Sequence, residues 1–277
     1  MTAVKPTPEA EIKLPSAIEL GVQQALLEVK VLLRSKDMLF FTLGLPLMFL
    51  LVFGVIFSAD LEGTDVSVGQ WFTPGIIAAS VLSAGIVNLA TTVAIERHDG
   101  TLRRLALTPL PASSYLIGKI LVSLFTAAGM TVVLLTTGAL LFDVDIPTEA
   151  DRWLTFTWVF LLGVGAASVL GIALSALPRN AKSASAVFNL PFLALMFISG
   201  VFVEFSSIPP WLRTVAGIFP LRWLAAGMRS VFLPDNFEQA IEPDGSYHLG
   251  WGAAILSIWV VVGFAVAVRT FRWGRER

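Results

Sequence analysis

Residues 71–111 read WFTPGIIAASVLSAGIVNLATTVAIERHDGTLRRLALTPLP. From Trp71 to Ile95 no side chain carries a charge, and the run is long enough as a helix to cross the roughly 30 Å of a bilayer core. It then breaks without a spacer into Glu96, Arg97, His98 and Asp99, a glycine, two more arginines and two prolines. A membrane-crossing helix that ends in a compact charged turn is the unit from which the rest of the chain is read.

Composition agrees with a bilayer as solvent. Of 277 residues, 56% are hydrophobic and 14% charged, with a mean hydropathy of +0.79. Soluble domains carry about 25% charged residues, so this chain lacks the polar surface to cover itself in water. With no cysteine, disulfides and thiolate chemistry are excluded. The polar start, MTAVKPTPEAEIKLPS, has no charged-then-apolar leader pattern and is expected to be a disordered lead over 1–15.

Five more apolar runs flank 71–95, at 38–58, about 115–142, 153–177, 184–203 and 250–268. Backbone in lipid must satisfy itself, so all are expected to be helices. Charge sidedness orients them. If the N-terminus is inside, the inner segments hold 15 of the 19 Lys and Arg, counting Lys119 at its span's inner boundary. The carboxylates Asp60, Glu62 and Asp65, then Asp143, Asp145, Glu149 and Asp151, fall in outer loops. The expected fold is an all-α membrane protein with six transmembrane helices over 38–277 and both termini cytoplasmic. Residues 96–111 are then its largest inner loop.

Before the first span, 16–37 places Ile18, Val22, Leu26, Val29 and Leu33 at helical spacing, with Glu19, Lys30, Arg34 and Lys36 mostly elsewhere on the wheel. That pattern predicts an amphipathic helix in the inner interface, or one packed on a partner's cytoplasmic domain. After the fifth span, 204–233 is apolar but cut by Pro209, Pro210 and Pro220, with each half too short to span. It predicts a short re-entrant helical hairpin in the outer leaflet. Arg222 and Arg229, seven apart, share a face there. Either they snorkel to headgroups or they act as an internal outer gate with Glu204 as nearest partner. Gly163, Ala167, Gly171 and Ser175 form a small-residue stripe for close helix packing.

Two histidines cannot build a metal cluster, and no nucleophile or phosphate-loop motif is present: Gly118-Lys119 lacks both the upstream glycine and the following Ser or Thr. Intramembrane polar residues are few, with Asn88, Thr91 and Thr92 in the second span and Asn189 in the fifth, and no acidic or basic residue sits mid-span, so uphill transport would draw its energy from another chain.

On these residues the chain resembles the membrane subunit of ABC-2 type exporters, in particular permeases of daunorubicin-resistance-type drug efflux systems. The resemblance runs from about 16 to 270. It is carried by the amphipathic helix before six spans, by ERHDGTLRRLALTPLPASSYLIGKI, and by FPLRWLAAGMRSVF before the last span. It implies a coupling helix at about 99–109 that docks on a separate ABC ATPase subunit. Glu96, Arg97, Asp99, Gly100, Thr101, Leu102, Arg103, Leu105 and Pro109 would be its coupling residues; Arg104 departs from the acidic or neutral residue of many relatives. Locally, Asp99 or Thr101 would cap the helix, Gly100 would permit the sharp turn into it, and Pro109 with Pro111 would end it. Leu102, Leu105 and Ala106 would give it an apolar face, and Glu96 would bond its exposed amides or pair with Arg97 or Arg103.

The resemblance further implies no catalytic residue and no cofactor on this chain, with ATP and Mg on the partner. It also implies pairing with a second permease copy or a paralogue, contact with membrane lipid, no nucleic acid, and a place in the bacterial cytoplasmic membrane. Spans one, two and five would border the substrate path, offering Phe49, Phe53, Phe57, Asn88, Phe192, Met196 and Phe197 to an amphiphilic substrate. Export of hydrophobic drugs or lipid-like molecules is the leading expectation. Lipid-linked polysaccharide export is the alternative on the same scaffold, and an intramembrane lipid-modifying enzyme the alternative of another class.

Overall fold

A computed structural model describes residues 15–56 and 65–270 of the chain. The N-terminal lead, Phe57, the loop carboxylates Asp60 and Glu62, and the tail from 271 lie outside the described residues.

The described residues are helical nearly throughout. Helix α1 spans Ala17–Arg34, its first turn capped by the Ser16 hydroxyl, which accepts from the Glu19 amide at 3.2 Å. Helix α2, Lys36–Ile56, follows, and its apolar part is Thr42–Ile56. Ser67 and Gln70 form a reciprocal capping box for α3, Val68–Ser83, which runs through a π-helical segment, Ala84–Leu89, into α4, Ala90–His98. The turn after α4 then holds α5, Thr101–Ala106. The remaining long helices are α6, Ala112–Leu141; α7, Ala150–Leu174; α8, Ala181–Ile198; and, last among the described residues, α12, Leu249–Thr270. Between α8 and α12 come a 3-10 turn, Phe205–Ser207, then α9, Pro210–Ile218, α10, Pro220–Phe232, and the single turn α11, Glu238–Ile241.

Five helices among the described residues are long and apolar enough to cross a membrane: Val68–His98, Ala112–Leu141, Ala150–Leu174, Ala181–Ile198 and Leu249–Thr270. They match five of the six runs read from the sequence. The first run is also helical, but its described apolar part is shorter than a span and its end at 57–58 lies outside the described residues. The fifth helix stops at Ile198, ahead of the expected 203, because Gly200 takes a left-handed φ of 79° that no helix continues through.

The molecule is built around α3. Its residues from Trp71 to Leu82 are all buried, with Ile76, Ile77, Val81 and Leu82 in one core with Leu221, Leu224 and Met228 of α10. The small-residue stripe on α7 receives the π segment. A Cβ on Gly171 would lie 2.2 Å from the Gly85 carbonyl oxygen, so the two backbones touch without side chains between them. Helix α1 lies along α6 through Gly21 and Ala25; of the stripe read from the sequence, Ile18, Val22, Leu26 and Leu33 face outward, free for lipid, and Val29 is half-buried.

Candidate functional site

The turn from α4 into α5, over residues 96–111, is compact. Asp99 accepts the Thr101 amide at 2.9 Å, and Gly100 sits at φ 83°, a region that only glycine enters without strain, so the chain reverses from α4 into α5 within two residues. That amide bond holds the Asp99 carboxyl below its ordinary value of 3.8. Leu102 is fully buried among Leu89, Val93, Tyr115, Ile172 and Ala267, with Leu105 packed beside it. This anchors α5 to the ends of α4, α6, α7 and α12. Arg103, Arg104 and Ala106 face outward, and Leu107 is 89% exposed. The expected apolar face is therefore split: Leu102 and Leu105 serve the chain's own packing, and Ala106 does not join them. Pro109 is exposed, and Pro111 takes the N-cap of α6.

Glu96 has other partners than those read from the sequence. Its Oε1 accepts from Lys119 Nζ at 2.6 Å and its Oε2 from the Tyr115 hydroxyl at 2.6 Å. The same Lys119 Nζ donates to Glu28 Oε2 of α1 at 2.8 Å, and Gln24 Nε2 donates to the other Glu28 oxygen at 2.9 Å. Arg97 reaches Ser175 Oγ at 3.3 Å, and His98 Nε2 lies 3.1 Å from the Pro178 carbonyl, joining this turn to the one that follows α7. The correction has a steric reason. Glu96 lies a turn above α5 on the side facing α6, so Lys119 and Tyr115, one turn apart on α6, reach its carboxylate before Arg103 can. Sequence reading left Lys119 as an ordinary boundary residue. The available signal was a lysine inside an apolar run, which needs a carboxylate, with Glu28 on the polar side of the adjoining amphipathic helix.

At the opposite end, α9 and α10 form the expected pair of short helices, and both arginines of α10 are buried inside the molecule. Arg222 pairs with Glu242 and stacks on Phe205, its guanidinium carbon 3.8 Å from the ring centre. Arg229, at 0% exposure, donates to the Gly200 carbonyl at 2.5 Å and stacks on Trp71 at 4.4 Å. Glu204, the expected partner, makes no ion pair with either; the carboxylate that does comes from beyond α10, after the single turn α11. Arg152 closes the same end, donating to the carbonyls of Val231 and Leu233 and pairing with Asp235 at 2.6 Å.

The residues proposed for a substrate path separate into three groups. Phe49 and Phe53 stack with Phe72 and Phe202, and Phe197 joins through Phe202 at 5.1 Å. This cluster borders a cavity of about 440 Å³ whose wall includes Phe53, Phe72, Phe202, Trp71 and Glu204. Phe192 and Met196 are core residues buried within this chain. Asn88, in the π segment, instead lines a cavity of about 460 Å³ beside Glu28, Glu96 and Lys119. Phe57 lies outside the described residues.

Residues 25–233 match the family described as ABC-2 type transporter. The chain is 28% identical over 215 residues to a Porphyra purpurea protein named as a transport permease, ycf38, covering 75% of this chain and 70% of that protein. It is 28% identical over 185 residues to the Escherichia coli K12 protein named "Probable multidrug ABC transporter permease YbhS", covering 62% of this chain and 48% of that one, so it spans about half of that relative. It is 23% identical over 192 residues to the inner membrane transport permease YadH of the same strain, covering 68% of this chain and 73% of that protein.

Proposed function

Because this chain belongs to the ABC-2 type transporter family, we propose that it is the membrane subunit of an ATP-driven exporter. In this reading a separate ATPase docks on the 96–111 turn, and hydrophobic or amphiphilic drugs or lipid-like molecules move outward through a pair of such subunits in a bacterial cytoplasmic membrane. The observation that carries this is the two-sided construction of α5. Its buried side, Leu102, is fixed to four long helices, while Arg103, Arg104 and Leu107 stand uncovered at the tip. A bare helical protrusion seated so firmly suits a push delivered from outside the chain.

Force on α5 has two routes inward. Leu102 presses on the ends of α4, α6 and α7, and Glu96 pulls through Lys119 on α6 to Glu28 on α1. The π segment, where α3 becomes α4, is a place where helix geometry can slip by one residue, and such segments are frequent at working sites. For the substrate, the outer aromatic cavity offers polarizable rings and a single carboxylate, which suit amphiphilic organic molecules recognised by shape. The multidrug wording of the YbhS name points the same way.

The test is co-purification with an ABC ATPase subunit co-expressed from the same organism. Leu107→Asp places a charge where the chain itself makes no packing, so the permease should elute and melt as the parent does while the ATPase subunit is lost. Retention of the ATPase at parental stoichiometry would overturn the docking assignment. Deletion of the gene should sensitise cells to several amphiphilic compounds; a change confined to envelope glycan would move the substrate to polysaccharide.

A further inference from the structure

A cavity of about 460 Å³ lies beneath α1, walled by α1, Thr42 of α2, the π segment and its continuation into α4, and α6. Its apolar wall includes Leu27, Val31, Leu89 and Val122, and one end is polar. Among the lining residues stand two carboxylates, Glu28 and Glu96, and one ammonium, Lys119, which leaves one negative charge when all are ionised. Arg97 bonds Ser175 and is not part of the wall. Lys119 is 2% exposed, whereas Glu28 and Glu96 keep 21% and 20%, so the accessible charge at the polar end is carboxylate.

A second observation is independent of that cluster. Ser123, one turn along α6 from Lys119, lines the same cavity, is 3% exposed, and its hydroxyl has no hydrogen-bond partner among the described residues. A buried hydroxyl without a partner and a carboxylate excess in an apolar setting both carry a free-energy cost. One kind of ligand relieves both: a protonated nitrogen carried on an apolar body. A phosphate headgroup would meet two carboxylates, and a neutral hydrocarbon would leave both polar needs unmet.

We propose that this cavity binds an organic ammonium amphiphile, with the nitrogen between Glu28, Glu96 and Ser123 and the apolar body along α1 and α6. The proposal rests on the exporter reading above and assigns the charge of the molecule received at the inner end of each subunit. The site lies wholly within one chain, so it needs no second copy.

The test uses the full chain in phosphatidylcholine nanodiscs, titrated with 9-aminoacridine, a flat cation at neutral pH, and with acridine, the same ring system without the amine. Saturable binding of 9-aminoacridine about tenfold tighter than acridine is expected, with the difference lost in Glu28→Gln. Ser123→Ala, which removes one hydroxyl and leaves the ion pairs, should weaken 9-aminoacridine about threefold and serves if Glu28→Gln does not hold its fold. Equal affinity for the two dyes, or unchanged 9-aminoacridine affinity in both variants, overturns the proposal. Displacement by potassium exchanged for N-methylglucamine at fixed ionic strength also overturns it, assigning the site to an inorganic cation. ATP-driven dye uptake in inverted vesicles holding permease and ATPase separates the two readings. Charge-selective binding without uptake removes the exporter reading and leaves the site; uptake with charge-blind binding does the reverse.

Discussion

Lys119 is the residue on which the half of the molecule around α5 turns, because from α6 it pairs with both α1 and α4. Lys119→Met would leave Glu28 and Glu96 facing each other with no cation between them. Breaking a fully buried pair costs about 3–5 kcal/mol; with both carboxylates keeping some access to water, about 2–3 kcal/mol is expected here. Thermal unfolding of the detergent-solubilised chain would measure it, and Glu96→Gln added to Lys119→Met should recover part of the loss, since it removes one of the two repelling charges. Asp99 is the second single-residue case. Its carboxylate is favoured by the Thr101 amide, so its folded value lies below the ordinary 3.8. A depressed carboxylate contributes stability present above its unfolded value and lost as pH falls through the folded one. The turn should therefore hold at neutral pH and loosen only in strong acid, and Asp99→Ala should loosen it at every pH, with Thr101 amide exchange roughly fivefold faster. Of these residues, Asp99, Gly100 and Thr101 were legible in the sequence because caps and left-handed glycines are local. The partners of Glu96 and Arg222 were not. Lys119 lies 23 residues along the chain from Glu96 and Glu242 lies 20 from Arg222, so each pairing is a product of helix packing that no periodicity encodes.

Among the elements, hydropathy placed the long helices well, since a backbone in lipid has few alternatives to a helix. What it did not show is that the 71–95 run becomes π-helical over Ala84–Leu89. Nothing in AGIVNL announces an extra residue per turn; the segment sits where Gly85 meets the backbone of Ala167 and Gly171 on α7, so tertiary contact sets it. Of the small-residue stripe on α7, Ala167 and Gly171 pack on this segment and Gly163 packs on Leu224 of α10. Two glycine substitutions separate contact from propensity. Gly171→Ala puts a methyl 2.2 Å from the Gly85 carbonyl oxygen, backbone against backbone, and should cost about 3 kcal/mol or more. Gly129→Ala, on exposed α6 with nothing within 4 Å of its new Cβ, should be neutral or stabilise by up to about 1 kcal/mol. Unfolding midpoints of the two variants in one detergent decide the matter. A loss of equal size in both would mean that the cost at Gly171 is not contact with the π segment.

For the whole molecule, the contacts divide the chain into one group tied by the Lys119 ion pairs and another tied by arginines on carboxylates, carbonyls and rings. Helix α1, lying along α6 and clamped by Lys119 to Glu28, belongs with α4 and α5 in the first group; α10 with Arg222 and Arg229 anchors the second. A push on α5 should then move α1 and α6 together. The chain has no native cysteine, so an engineered pair reports on that motion alone. A Cβ built on Gly118 would stand 3.1 Å from the Gln24 Cβ, a few tenths of an ångström inside the usual disulfide range of about 3.5–4.5 Å, which a small shift of α1 accommodates. In the Gln24→Cys, Gly118→Cys variant, ATP-driven dye uptake by vesicles holding permease and ATPase should be the same oxidised and reduced, because the bond joins parts that already travel as one. Comparing the two redox states of one variant removes the effect of losing Gln24 from the inner cavity. Uptake that stops on oxidation and returns with reductant would mean that α1 slides on α6 during the cycle. The Glu28–Lys119 pair would then have to break at each turnover, which would make the first group a hinged assembly in place of a single lever.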